Sequence, residues 1–319
     1  MLRRIVSSGV VALFETAEQV RAAVRELTDA VWVLSAMAPV LSGGVEGPFS
    51  VDDPAARVLA DYGLLEATEG GLRPRPGFAE AFGGRARALA DGIRASLGQA
   101  ATAAFRDQHG GDWGAFADEI LVAQGRASAM GGEGFAVFVV PVLDGLAGRF
   151  AGGDGVLLDV GVGVAELACA FCQAVPGARV VGIDPLPRAI ELAAATVAGH
   201  GLAGRVQLRC QGVEELTDEE AFDLAWLPLP FIPPAAVREG LPRVLRALRP
   251  GGWLLLPAAA VEPGASGEIA RWQVHVFGGT LLSDHERTEL LRAAGFESPI
   301  PLSTPPGALP PFLAARRPR

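Results

Sequence analysis

The chain contains no lysine; all 27 of its basic residues are arginine. Schiff-base catalysis by a lysine amine is therefore excluded. With 41 glycines and abundant alanine, this absence reads as coding bias rather than chemistry. Cysteine is scarce, and Cys169, Cys172 and Cys210 cannot build a disulfide framework. Cys169 and Cys172 have CxxC spacing, but no second pair accompanies them as zinc requires. They fall inside an apolar helical pattern, as small core hydrophobes do. No uninterrupted apolar run approaches the ~18 residues of a membrane span. The N-terminal MLRRIVSSGVVALF places two arginines before an apolar run, but Glu15 and Glu18 follow at once and no cleavage site is evident. An ordinary first helix and a cytoplasmic protein are expected. Positive charge is in deficit, 27 residues against 36 acidic ones, for a net −9. That balance argues against a nucleic-acid or anionic-membrane partner. No acidic cluster demands a metal, and none is expected.

At 319 residues, half of them hydrophobic, the chain has room for two modest domains. It is organised around Gly155–Ala165, GVLLDVGVGVA. Val156–Val160 reads as a buried strand closed by Asp159. Gly161 and Gly163 allow a tight turn with backbone close to a ligand. A helical pattern, ELACAFCQAV, follows until Pro176. Strand, glycine turn and helix start make a nucleotide-cradling element. A dinucleotide fingerprint would want glycine where Glu166 stands, and a carboxylate there has the wrong sign for a pyrophosphate. A nicotinamide oxidoreductase is thereby disfavoured.

Asp159, Gly161, Gly163 and Ala165 resemble the acidic glycine loop of class I S-adenosyl-L-methionine (SAM) dependent methyltransferases. SAM carries a sulfonium and an ammonium but no phosphate, which suits an acidic first turn. The resemblance implies that Asp159, Gly161, Val162 and Gly163 hold the cofactor. Asp184 stands at a second strand end, about twenty residues after the turn, where an acid accepts ribose hydroxyls; Pro185 follows it. At the end of the third strand the family has an acid for the adenine amino group. Here the chain has Gln211, Gly212 and Val213, so the Gln211 amide oxygen or the adjoining backbone is expected to serve. In FDLAWLPLPFIPP, residues 222–234, the prolines and aromatic ring match the tetrad of aminomethylating relatives, but the leading Asn or Asp is missing. Leu227 is expected in an apolar wall beside the methyl group. Arg126, Ser128 and Met130 are candidates for the methionine end. The catalytic group is unassigned, His275 being a weak candidate base.

The N-terminal region reads as mainly helical. Thr16–Leu41 has Val20, Val24, Leu27, Val31 and Leu34 at helical spacing, and ends near Gly43–Gly44. Asp53 before Pro54 reads as a helix cap, and Leu64–Glu66 and Leu72–Arg75 as a hairpin around EGG. This order resembles the degenerate winged helix that precedes many small-molecule methyltransferase domains. Residues 1–150 hold 13 arginines against 18 acidic residues, the wrong balance for DNA. A dimerisation and substrate-lid region is expected over 1–123, with helices over Gly83–Ala104 and Trp113–Ala123.

Residues 124–319 are expected to be the SAM-binding domain with its helical lead-in. Strands over 156–160, 179–184, 206–210, 222–227 and 253–256 alternate with helices, RPGG turning into the fifth. SDHE, 283–286, has the form of a capping box. Strand candidates 298–302 and 312–316 close the chain. The implied fold is α/β: a Rossmann-like, seven-stranded, mostly parallel sheet with a reversed last strand, plus the helical N-terminal domain. The expected activity is methyl transfer from SAM to a small, apolar or aromatic metabolite, by a homodimer. The alternatives are a SAM-consuming enzyme that does not methylate, through cyclisation of the aminobutyl arm or a rearrangement, and a noncatalytic SAM-binding protein.

Overall fold

The computed structural model describes residues 14–105, 111–257, 265–304 and 311–319. The helix expected over 1–13, and His109, lie outside them. The chain divides into two compact units, Met1–Arg106 and Asp107–Arg319.

In the first unit, α1 spans Ala17–Ser42 and opens on a capping box in which Thr16 and Gln19 satisfy each other's free amides. The Asp53 carboxylate caps α2, Pro54–Asp61, by accepting from Ala55 and Ala56. Strands β1, Leu65–Thr68, and β2, Gly71–Pro74, pair antiparallel, with Thr68 opposite Gly71 across the turn. Helices α3, Pro76–Phe82, and α4, Ala86–Phe105, follow. Two small cores hold the unit together. One contains Val40, Leu59, Leu65 and Leu72, the other Leu41, Phe78, Ala90 and Ile93. The expected helix–hairpin arrangement is present. The α1 stripe faces outward, however: Val20, Val24, Leu27, Val31 and Leu34 are all exposed.

In the second unit, α5 runs Asp118–Gly134, continues as a π-helical turn over Phe135–Val139, and leads to α6, Leu146–Ala151. Residues 123 and 124, where the sequence reading placed its domain boundary, sit within this one helix. The GGEG run within this helix is a packing surface. A Cβ on Gly132 would lie 2.2 Å from the Leu167 carbonyl oxygen, so only glycine lets α5 approach the helix that carries Leu167, Glu166–Ala174.

The sheet contains β3, Val156–Val160; β4, Arg179–Asp184; β5, Val206–Cys210; β6, Phe222–Trp226; β7, Leu248–Pro257; β8, Ile300–Leu302; and β9, Phe312–Arg316. Its order is β5-β4-β3-β6-β7-β9-β8, parallel except for β9, which runs antiparallel to both neighbours. RPGG is not a turn ahead of the fifth strand. It lies within β7, where Gly251 takes φ +76° and the register with β6 shifts. Helices α7, Glu166–Ala174, and α8, Pro187–Gly199, bury Ala168, Phe171 and Ala193 with Leu157 and Leu224. On the other face, α9, Pro234–Ala247, and α11, Asp284–Ala293, bury Val237, Leu241 and Leu291 with Leu158 and Leu254. Between β7 and α11 lies α10, Ala265–Phe277. Each fully buried leucine contributes ~1.5–3 kcal/mol of transfer free energy. Cys169 and Cys172 belong to the first of these clusters. Among the described residues, no helix is long and apolar enough to cross a membrane.

Candidate active site

The sheet order reverses direction beside β3, whose neighbours are β4 and β6. The carboxyl ends of the strands leave a crevice at such a point. A cavity of about 570 Å³ opens there, within the second unit, a size suited to a small ligand.

Its floor is the turn after β3. Gly161 and Gly163 adopt φ +67° and +54°, and Ala165 joins them at +65° before α7 begins. Gly161 and Val162 donate their N–H groups to the Ile183 carbonyl at 2.8 and 3.0 Å, tying the turn to β4. The Val162 side chain lies over Gly182, where a Cβ would come within 2.6 Å of it.

Two carboxyl groups face one another's field here. Asp159 is 2% exposed and lines the cavity, and its Oδ2 has no hydrogen-bond partner. Burial, and then the neighbouring Asp184 charge, raise its pKa to about 7. Asp184 accepts from Gly163 N–H at 3.1 Å and Leu186 N–H at 2.9 Å. Burial raises its pKa, and the two backbone donors pull it back.

Asp159, Gly161, Val162, Gly163, Asp184, Pro185, Gln211, Gly212 and Val213 all line the cavity, as do Ser128 and Met130. Leu227 does not line it. Side chains alternate at a strand end, so Trp226 and Pro228 face the cavity while Leu227 points into the core, fully buried. Arg126 is also outside the lining and sits 4.0 Å from the Glu166 carboxylate. His275 is exposed on α10, stacked on Trp272 at 5.6 Å, and is not part of the lining.

Rings dominate the remaining wall. Phe135, Trp226 and Phe312 form one group with centroids 5.1–5.9 Å apart. Trp113, Phe231 and Phe277 form another at 5.1–5.4 Å. Arg188 holds the Trp113 turn in place. Its guanidinium donates to the Gly114 carbonyl at 3.3 Å and to that of Phe116, and its Nε lies 2.9 Å from Asp118. The sequence reading did not single out Trp113, Arg188 or Phe312.

Residues 157–252 match the family described as a methyltransferase domain. Over that stretch the chain carries a methyltransferase domain. An O-methyltransferase family protein from Burkholderia thailandensis superposes with TM-score 0.67 at 19% identity, covering 96% of this chain and 99% of that one. Human N-acetylserotonin methyltransferase, solved with SAM, superposes with TM-score 0.63 at 15% identity, covering 96% and 100%. A stretch of 153 residues is 31% identical to ribosomal protein L11 methyltransferase of Sorangium cellulosum, 48% of this chain and 45% of that protein. Another, of 111 residues, is 35% identical to release factor glutamine methyltransferase of Geobacter sulfurreducens, 35% and 36% of the two chains. The chain thus spans less than half the length of these curated relatives. The reversed β9 and the seven-stranded order are those of the methyltransferase fold.

The methyltransferase reading can be tested on the cavity itself. SAM brings two cationic centres and a ribose diol. The cavity offers an orphaned buried carboxylate oxygen at Asp159 and a second carboxylate, Asp184, at a strand end. The donor set fits the cofactor.

Proposed function

We propose that this protein transfers the SAM methyl group to a small, largely apolar aromatic acceptor, and that it acts as a homodimer. Bound SAM supplies an electrophilic methyl on a sulfonium. Asp184 accepts the ribose hydroxyls, and Asp159, in its ionised form, faces the cationic methionine end. The two aromatic groups exclude water and orient a flat acceptor for in-line approach; a hydroxyl acceptor has to enter as its oxyanion, its proton left to solvent. The observation that carries this reading is the ring-lined wall beside the two carboxylates. The neighbours described as O-methyltransferases, among them a mitomycin 7-O-methyltransferase at TM-score 0.63 and 19% identity, support an oxygen acceptor. It covers 94% of this chain and 98% of its own. The outward apolar stripe of α1 supports the dimer.

The test is product analysis with SAM and a panel of phenols and hydroxylated heteroaromatics. S-adenosylhomocysteine together with a methylated acceptor is expected. Methylthioadenosine, or SAM left intact beside a rearranged acceptor, would contradict methyl transfer.

A further inference from the structure

Arg188 joins the loop of Asp184 to the ring-lined wall. Leu186 donates its N–H to the Asp184 carboxylate at 2.9 Å, and α8 starts one residue later, at Pro187. Arg188 sits in the first turn of that helix and reaches back 74 residues in sequence to Gly114. Its guanidinium donates to the carbonyls of Gly114, at 3.3 Å, and Phe116, while its Nε lies 2.9 Å from the Asp118 carboxylate. These contacts span the 3-10 turn that carries Trp113 and the first residue of α5. Leu186 lies against the same turn: a Cβ added to Gly114 would sit 3.4 Å from its Cδ1. Arg188 itself does not line the cavity.

The rest of the attachment is apolar. Phe116 is fully buried in a cluster with Leu121, Val164 and Phe277. Apolar packing is non-directional, so it holds rings together without fixing their angle. A planar guanidinium differs, because its fork sets its acceptors in distance and in direction. The place of Trp113 on the cavity wall therefore follows the first turn of α8, which Leu186 ties to Asp184. The Asp184 carboxylate already accepts from Gly163 and Leu186. Ribose hydroxyls arriving there add further donors, and the loop settles around the sugar. A ligand that stiffens one element stiffens what is fastened to it.

We propose that Arg188 is a positioning residue that makes the acceptor wall follow the cofactor: a nucleoside seated on Asp184 fixes the Trp113 turn for the acceptor. The proposal rests on the SAM and acceptor readings given above. By linkage, a bound acceptor in turn tightens the hold on the cofactor.

Hydrogen–deuterium exchange of the full chain, with and without S-adenosylhomocysteine, tests it. In the unaltered protein the nucleoside is expected to slow exchange about fivefold or more, both over residues 161–164 and 184–187 and over 112–118. Arg188→Ala should keep calorimetric affinity for S-adenosylhomocysteine within about threefold, as loss of a part-exposed ion pair outside the cavity does. It should also keep the response over 161–164 and 184–187, while 112–118 ceases to respond. Arg188→Lys supplies a charge without the fork and should recover less than about half of that response; it carries the test by itself if Arg188→Ala does not fold. A full response over 112–118 in either variant overturns the proposal, as does its absence in the unaltered protein; the cofactor reading survives both. An affinity loss beyond about tenfold in folded Arg188→Ala also overturns it, by making Arg188 part of the cofactor site. Failure of the unaltered protein to bind S-adenosylhomocysteine overturns the cofactor reading and the proposal together.

Discussion

Gly163 donates its backbone N–H to the Asp184 carboxylate at 3.1 Å, joining the glycine turn to the acid of the next strand. The bond depends on Gly163 holding φ +54°. A β-branched residue there pays roughly 1–2 kcal/mol for the left-handed backbone. Gly163→Val is therefore expected to weaken S-adenosylhomocysteine binding by about tenfold or more, read by calorimetry, with the far-ultraviolet circular dichroism unchanged.

Asp159 makes cofactor binding depend on pH. Its carboxyl titrates near 7 in the folded protein, so it is mostly protonated below that pH. A cationic ligand favours the ionised form, and binding expels the proton. SAM affinity should rise about tenfold between roughly pH 6 and pH 8, with proton release visible as a buffer-dependent binding enthalpy. Asp159→Asn should flatten the profile. It should also raise the melting temperature at neutral pH, because a carboxyl with a raised pKa costs stability as pH climbs from its unfolded value through its folded one.

The approach of α5 to α7 rests on a missing side chain. At Gly132 an added Cβ would meet the Leu167 carbonyl oxygen at 2.2 Å and the Phe171 nitrogen at 2.7 Å, both backbone atoms that cannot swing aside. Gly132→Ala is expected to cost ~1–3 kcal/mol, measured as a lowered denaturation midpoint.

The CxxC pair is predicted to be inert. Burial raises the Cys169 thiol to about 12 and the Cys172 thiol to about 11, while Cys210 is exposed. Brief alkylation of the native protein should modify Cys210 alone by peptide mass spectrometry. Guanidinium should then expose the other two.

The α1 stripe, with Leu27 at 56% and Val31 at 51% exposed, is the surface expected to pair two copies. Leu27→Glu combined with Val31→Glu should convert a dimer to a monomer in light scattering, without unfolding the chain.

Strand positions were legible because period and punctuation agree. Val156–Val160, Arg179–Asp184, Val206–Cys210 and Phe312–Arg316 have the bounds their apolar runs and flanking glycines or prolines indicate. The helical lead-in now seen as α5 was expected, but that Gly131 and Gly132 are its contact points with α7 depends on packing that the sequence pattern does not encode. Leu227 follows from period two once the strand end is known, yet one residue of uncertainty there turns a wall residue into a core residue. The α1 periodicity revealed a stripe but carried no sign of which way it faces. Asp159 and Asp184 were legible from their spacing to the glycine turn. Trp113 and Arg188 were not, because their places depend on how a loop some seventy residues upstream folds back against α8.

The most direct measurement is calorimetric titration of SAM into the unaltered protein and into Asp184→Ala, with NAD as the competing ligand. One SAM per chain, weakened about tenfold or more, ~1.4 kcal/mol, by removing the charge-assisted hydrogen bonds of Asp184, and indifferent to NAD, is the predicted result. NAD binding in place of SAM, or SAM affinity untouched by the loss of Asp184, would contradict it.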